Sequence, residues 1–158
     1  MSERSASAGE IDVSNSVVAM ACDHAGVELK EILKAELEKS GHSIIDLGTT
    51  GPDPVDYPDF GRAMADALRE GRAARGIVIC GSGIGISIAA NRHAHVRAAL
   101  CVDGTMARLA RLHNDANVLA LGSRVTGVEA AKDCVKQFLA TPFEGGRHAG
   151  RVAKLSTM

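Results

Sequence analysis

The stretch Ile77-Val-Ile-Cys-Gly-Ser-Gly-Ile-Gly-Ile-Ser-Ile-Ala-Ala-Asn-Arg92 constrains this chain more than any other. Ile77, Val78 and Ile79 form a short β-branched apolar run, the pattern of a buried strand, which Cys80 closes. Gly81, Gly83 and Gly85 follow at alternate positions, and Ile84, Ile88 and two alanines then open a helix. A strand, a glycine turn and a helix start gather backbone N–H groups that suit an anion, a phosphate or an oxyanion. A thiol at the mouth of such a turn can serve as a base or a nucleophile. Taken alone, the stretch also reads as a tight turn with a buried structural cysteine, so the rest of the chain has to decide.

A chain of 158 residues, 46% hydrophobic and 23% charged, is one domain with a real core. The net charge of −1 gives no footprint for nucleic acid or a membrane surface. No apolar run reaches the roughly 20 residues that span a bilayer. The N-terminus lacks a charged-then-apolar signal pattern, so a cytoplasmic protein is expected. Residues 1–15, rich in Ser, Ala, Gly and Glu, read as a disordered leader, and residues 16–158 as the single domain.

The four cysteines, Cys22, Cys80, Cys101 and Cys134, show neither a CxxC pair nor zinc spacing. Cys22, Cys80 and Cys101 each close an expected strand. A metal site along one sheet edge is therefore conceivable, although small core fillers beside one working thiol fit better. Aromatics are scarce, with no Trp, three Phe and the single Tyr57. An aliphatic core of this kind suits a parallel sheet covered by helices.

In chain order, Val17 to Cys22 reads as the first strand. Asp23-His24-Ala-Gly26 follows as a turn in which Asp23 caps the next helix. That helix carries Leu29, Ile32, Leu33 and Leu37 on one face and ends at Gly41. Ser43 to Leu47 is the second strand. The connection from Gly48 to Asp59, with three prolines, is an irregular loop, and Asp56 and Tyr57 in it either lie over a ligand or stiffen and anchor a turn. A helix from Phe60 to Gly71 buries Phe60, Met64, Ala67 and Leu68. Gly76 to Cys80 and Val96 to Cys101 are the third and fourth strands. Between Asp103, a plausible N-cap, and His113 a helix places Met106, Leu109, Ala110 and His113 on its inward stripe, with Asn114-Asp115 ending it. Ala116 to Leu121 is the fifth strand, followed by Gly122-Ser-Arg124. Thr126-Gly-Val-Glu129 has the form of a capping box for a helix to about Ala140 that turns Val128, Ala131, Val135 and Phe138 inward. In the tail, Arg147 and Arg151 share a face if the segment is helical and can then clamp a phosphate.

Five strands alternating with helices give an α/β fold: a Rossmann-like three-layer α/β/α sandwich on a five-stranded, mostly parallel sheet with a C-terminal tail. Asp23, His24, Asp56, Tyr57, Cys80 to Gly85 and Arg124 fall after carboxyl ends of strands, where open α/β sheets bind ligands. The tail is expected to cover that edge.

The sequence resembles type B ribose-5-phosphate isomerases and the related galactose-6-phosphate isomerase subunits. The matching pieces are Cys22-Asp-His24, Asp56-Tyr-Pro58, Cys80 to Asn91, His113-Asn-Asp-Ala-Asn117, Gly122-Ser-Arg124 and Glu144-Gly-Gly-Arg-His148 with Arg151. The resemblance implies an aldose–ketose isomerase of phosphorylated sugars with no metal or organic cofactor. It implies Cys80 as the base, where other members use a glutamate at the position of Ile86. It implies His113 as the residue that opens the sugar ring and Ser82 as a proton shuttle between the two oxygens. Gly81, Gly83, Ile84 and Gly85 then hold the enediolate. Asp23, His24, Asp56, Tyr57 and Asn114 meet the sugar, and Arg124, Arg147 and Arg151 bind the phosphate. A homodimer or homotetramer with the site between subunits is implied as well. Ribose 5-phosphate is the expected substrate, with a tetrose, allose or galactose phosphate as the alternative. A nucleotide- or flavin-binding module is the reading from another class, and it leaves Cys80, His113 and the tail arginines without a role. No role is read for His93, His95 or His148.

Overall fold

The computed structural model describes residues 16–158, so the expected leader lies outside the described residues. The strands are β1 (Val17–Cys22), β2 (Ser43–Asp46), β3 (Arg75–Cys80), β4 (Ala98–Leu100) and β5 (Val118–Gly122). The helices are α1 (Val27–Lys39), α2 (Tyr57–Arg69), α3 (Ile84–Ala90), α4 (Gly104–Asn114), α5 (Val128–Ala140) and α6 (Arg147–Leu155). The strand order is β2-β1-β3-β5-β4 and every pairing is parallel. Because β1 leads to β2 on one side and the chain then returns to β3 on the other, the sheet has its switch point between the carboxyl ends of β1 and β3.

Alternation along the strands sorts the core into two layers. Val18, Met20 and Cys22, Ile77 and Ile79, and Leu119 and Leu121 face α1, α4 and α5. Ala19, Ala21, Val78, Cys80, Val118 and Ala120 face α2 and α3. Cys80 therefore points to the opposite face from Cys22 and Cys101, and the cysteine metal edge conceived from sequence is not formed. Burial drives the Cys22 thiol up to about 11, Cys101 to about 12 and Cys134 to about 11, so these three are inert core fillers.

Several local expectations shift. The second helix begins at Tyr57, with Asp56 at its N-cap position, so the irregular loop is shorter than expected. Asp23 caps a 3₁₀ turn, His24–Gly26, by accepting the Ala25 N–H at 3.0 Å, rather than capping α1. The capping box does not form: Gly127 is the N-cap of α5 without a side-chain bond, and Glu129 is exposed. The fourth strand is trimmed to Ala98–Leu100. Of the expected inward stripe Ala110 is buried, but Met106 and Leu109 are exposed at 42% and 37% and His113 is partly exposed, while Ala107 and Arg111 are buried in their place. The inward stripe of α4 is thus rotated from the apolar periodicity, because Arg111 carries its charge into a polar socket described below.

Lys30, on the inner side of α1, is fully buried. Its ammonium donates to Asp46 Oδ1 at 2.5 Å and to the Thr49 carbonyl at 2.9 Å. Asp46 also accepts the Gly48 N–H at 2.9 Å, while the Cys22 N–H donates to the Gly48 carbonyl and the Cys22 carbonyl accepts the Thr49 N–H. This ion pair fastens the start of the β2–α2 loop beside the switch point. Burial works against the Asp46 charge, but the bonds from Lys30 and Gly48 and the charges of Lys30 and Lys34 outweigh it and hold the carboxyl below its ordinary 3.8. The ionised form hence stabilises the fold above that pH, and the contribution vanishes as pH falls through the lower folded value. Asp46→Asn is expected to cost about 2 kcal/mol at pH 7 in urea unfolding. The gap between variant and parent should close as the pH is lowered below 3.8.

Candidate active site

At the switch point, β1 delivers Asp23 and His24 while β3 delivers Cys80 and the glycine turn. The Asp23 N–H bonds the Ile79 carbonyl at 3.1 Å and ties the two ends together. Gly83 has φ +79°, and a side chain there would meet Leu100 Cδ1 at 2.5 Å and the Leu121 backbone at 2.8 Å. Glycine is required for the chain to turn this close to β5. The Gly83 N–H donates to Cys80 Sγ at 3.1 Å, and the Ile84 N–H to Ser82 Oγ at 3.2 Å. Two donors expected to face an oxyanion are thus engaged inside the loop, where they orient the thiol and the hydroxyl.

The Arg124 N–H donates to the Gly81 carbonyl at 2.9 Å, and the Arg124 guanidinium lies over Gly81. The Tyr57 ring packs on Gly85 so closely that a Cβ there would sit 2.6 Å from Tyr57 Cζ. Asp23, Tyr57, Cys80, Gly81, Ser82, Gly85 and Arg124, with Val125, line an open cavity of about 290 Å³. His24 and Asp56 stand just outside this lining. His24 Nδ1 accepts the Val55 N–H at 3.2 Å.

His113 is not there. In a parallel sheet, α4 leaves the carboxyl end of β4 and must return to the amino end of β5. Its last turn therefore lies at the opposite edge, about 16 Å away along a five-residue strand. Asn117, just before β5, bonds the Arg97 N–H at 2.7 Å just before β4, and Arg97 Nε in turn donates to the Asp115 carbonyl at 2.8 Å. Arg111 Nη1 reaches Asp115 Oδ1 at 2.8 Å and the Ala116 carbonyl at 2.7 Å, while its Nε reaches the Thr141 carbonyl at 3.1 Å. Asp115, which accepts from Arg97 Nε and Arg111 Nη1, does so in a left-handed conformation, φ 47°. This socket, which sequence reasoning missed, locks the corner that presents His113 and Asn114.

The tail is helical and packs against this amino edge, not over the carboxyl edge of its own sheet. His113, Asn114, His148 and Arg151, with Val152 and Leu155, line a second cavity of about 330 Å³ that shares no residue with the first. Arg147 sits one turn before Arg151 outside this lining. The His113 and His148 rings stack at 4.5 Å, and Glu144 Oε2 lies 3.9 Å from Nε2 of each. Burial, then the nearby His113 and Arg147 charges, hold the His148 imidazole below its ordinary value despite Glu144. A larger groove of about 590 Å³ between α1 and α5 holds none of the candidate catalytic or substrate-binding residues. His95 Nε2 contacts the Ala65 carbonyl at 2.8 Å, which gives it an anchoring place beside α2.

Residues 18–155 match the model of the family described as Ribose/Galactose Isomerase. The chain belongs to that family. The ribose-5-phosphate isomerase B of Escherichia coli is 45% identical over 89% of this chain and 95% of its own. The D-erythrulose-4-phosphate isomerase of Pectobacterium atrosepticum is 40% identical over 87% and 91%. Among solved structures, ribose-5-phosphate isomerase B of Clostridium thermocellum is 50% identical, with a TM-score of 0.88 over 89% of this chain and 95% of that one. The Mycoplasma genitalium enzyme, solved with bound ribulose 5-phosphate, is 40% identical, with a TM-score of 0.86 over 89% and 94%. Membership in an isomerase family displaces the nucleotide- or flavin-module reading.

Tyr57 is the single tyrosine and there is no tryptophan, so intrinsic emission reports the Tyr57–Gly85 contact alone. Gly85→Ala is expected to push the half-exposed ring outward, raising its acrylamide quenching with little loss of thermal stability. Unchanged quenching would mean that the ring does not rest on Gly85.

Proposed function

We propose that the protein interconverts ribose 5-phosphate and ribulose 5-phosphate. The observation that carries this reading is a thiol beside a glycine turn at the sheet's switch point, in a chain of the isomerase family. His113 donates a proton to the ring oxygen as the C1–O bond breaks, and the anomeric hydroxyl gives up its proton to water, which opens the furanose to the aldehyde. Cys80, as thiolate, takes the C2 proton of the aldehyde form, and the electron pair moves to make an enediolate. The N–H groups of the Gly81–Gly85 turn stabilise its oxygen once substrate replaces the internal contacts. Ser82 passes the hydroxyl proton between the oxygens, and Cys80 returns its proton to C1. Asp23, His24, Asp56, Tyr57 and Asn114 position the sugar. Arg124, Arg147 and Arg151 grip the phosphate, so that binding energy remote from C1 and C2 aligns them.

The two cavities lie on opposite edges of one sheet, so this mechanism needs a homodimer in which Cys80 of one subunit meets His113 of the other. The exposed Ile84, Ile88, Met106 and Leu109 offer apolar surface for such an assembly. A cytoplasmic setting accords with four free, buried cysteines. The tetrose phosphate reading is favoured by one observation, the 40% identity to an erythrulose-phosphate isomerase.

Turnover is to be measured on ribose 5-phosphate beside erythrulose 4-phosphate and allose 6-phosphate. Cys80→Ala should lower kcat about 1,000-fold with KM nearly unchanged. Arg151→Ala should raise KM about tenfold. Preference for the tetrose would keep the mechanism and change the substrate, and activity surviving in Cys80→Ala would remove the assigned base.

Co-refolding Cys80→Ala with His113→Ala tests the shared site directly. Half the dimers are then mixed and each carries one intact site, so roughly a quarter of the parent activity should return from two inactive proteins. No recovery from a mixture shown to contain mixed dimers would place both residues in one subunit's site.

A further inference from the structure

His148 is the odd group in the amino-edge cavity. It is 5% exposed, yet its Nε2 is the one buried side-chain polar atom among the described residues without a hydrogen-bond partner. A buried imidazole nitrogen left this way is uncommon and calls for a ligand. That nitrogen and His113 Nε2 each lie 3.9 Å from Glu144 Oε2, and a ring nitrogen of each histidine and a carboxylate oxygen of Glu144 fall within 4.8 Å of one another. No other set of three His, Cys, Asp or Glu among the described residues comes together in this way.

We propose that His113, Glu144 and His148 bind a borderline divalent cation of the Zn²⁺ class, not as a cofactor but as an inhibitor that withdraws His113 from ring opening. A tetrahedral ion with bonds of about 2.0–2.2 Å holds its donors about 3.4 Å apart. The two His–Glu separations of 3.9 Å need to close by about half an ångström. His148 is fixed by burial at the start of α6. The partners that must move are free to do so: the Glu144 side chain is 55% exposed and leads into Gly145 and Gly146, and His113 is 38% exposed. His113 tilts out of its stack on His148 to bring both nitrogens to one ion, and the fourth position stays open to water. Arg147 and Arg151 lie nearby, so the ion is won by coordinate bonds and not by charge. That selects Zn²⁺, Co²⁺ or Ni²⁺ over Mg²⁺ and Ca²⁺.

The inhibitory half rests on the role proposed for His113; the binding half does not. Calorimetry of the chelator-treated full chain with ZnCl₂, and spectra with CoCl₂, read binding without turnover. One ion per chain is expected, undisturbed by excess MgCl₂, with cobalt d–d bands but no thiolate charge-transfer band. Cys80→Ala should bind as the parent does, while Glu144→Gln and His148→Ala should each weaken binding at least about tenfold. Glu144 is exposed, so its variant covers the case in which His148→Ala fails to fold. Zinc should suppress the parent's turnover reversibly by chelation and spare Glu144→Gln relative to that variant's own rate. No binding, binding unchanged in Glu144→Gln, or a thiolate band lost with Cys80→Ala would each overturn the site. Zinc bound at these residues with turnover undiminished would overturn the withdrawal of His113. A chain that binds zinc but isomerises no sugar phosphate would keep the site and remove the isomerase reading.

Discussion

The parallel sheet imposes one constraint on everything else in this protein. Each strand hands its chain to a loop at the carboxyl edge, and each helix returns it to the amino edge. Cys80, Ser82, Asp23, Tyr57 and Arg124 leave strands or sit beside their carboxyl ends and gather at one edge. His113, Asn114, His148 and Arg151 belong to helices returning or finishing at the other. No side-chain adjustment bridges that separation, so a reaction using both groups has to be assembled from two chains.

Each edge is held by a buried charge. Lys30, paired with Asp46, anchors the loop that leads to Tyr57. Arg111 and Asp115 lock the corner that presents His113. Both cations sit among satisfied acceptors, which makes such burial tolerable and gives each corner one geometry. His148 departs from this pattern, for its buried nitrogen has no such acceptor. In a molecule otherwise careful about polar groups, that exception marks a place where something is held.

The elements were legible because periodicity reports burial: Val17 to Cys22 and Ile77 to Ile79 form strands, and Leu29, Leu33 and Leu37 of α1 are buried, although Ile32 is half-buried and the buried Lys30 lay outside the expected stripe. Stripes failed where an apolar side chain faces outward or a charged one inward. Met106 and Leu109 looked like core, and Arg111 did not, because pattern cannot see a polar socket. The box at Thr126 and Glu129 failed because motif spacing does not fix backbone geometry, and Gly127 took the cap. A metal edge of Cys22, Cys80 and Cys101 was conceivable on paper beside the preferred reading of core fillers, since ending a strand says nothing about which face the side chain takes.

The sequence alone determined the α/β class, the strand–glycine–helix turn around Cys80 and the family resemblance, because these are local and their residues are contiguous. Tertiary structure decided which residues share a cavity. That choice depends on strand order, side-chain alternation and the edge to which each helix returns, and these are settled by packing across the sheet. The tail illustrates it: its helix and paired arginines were readable, but its place at the amino edge beside His113 is set by where α5 ends and what α4 leaves uncovered.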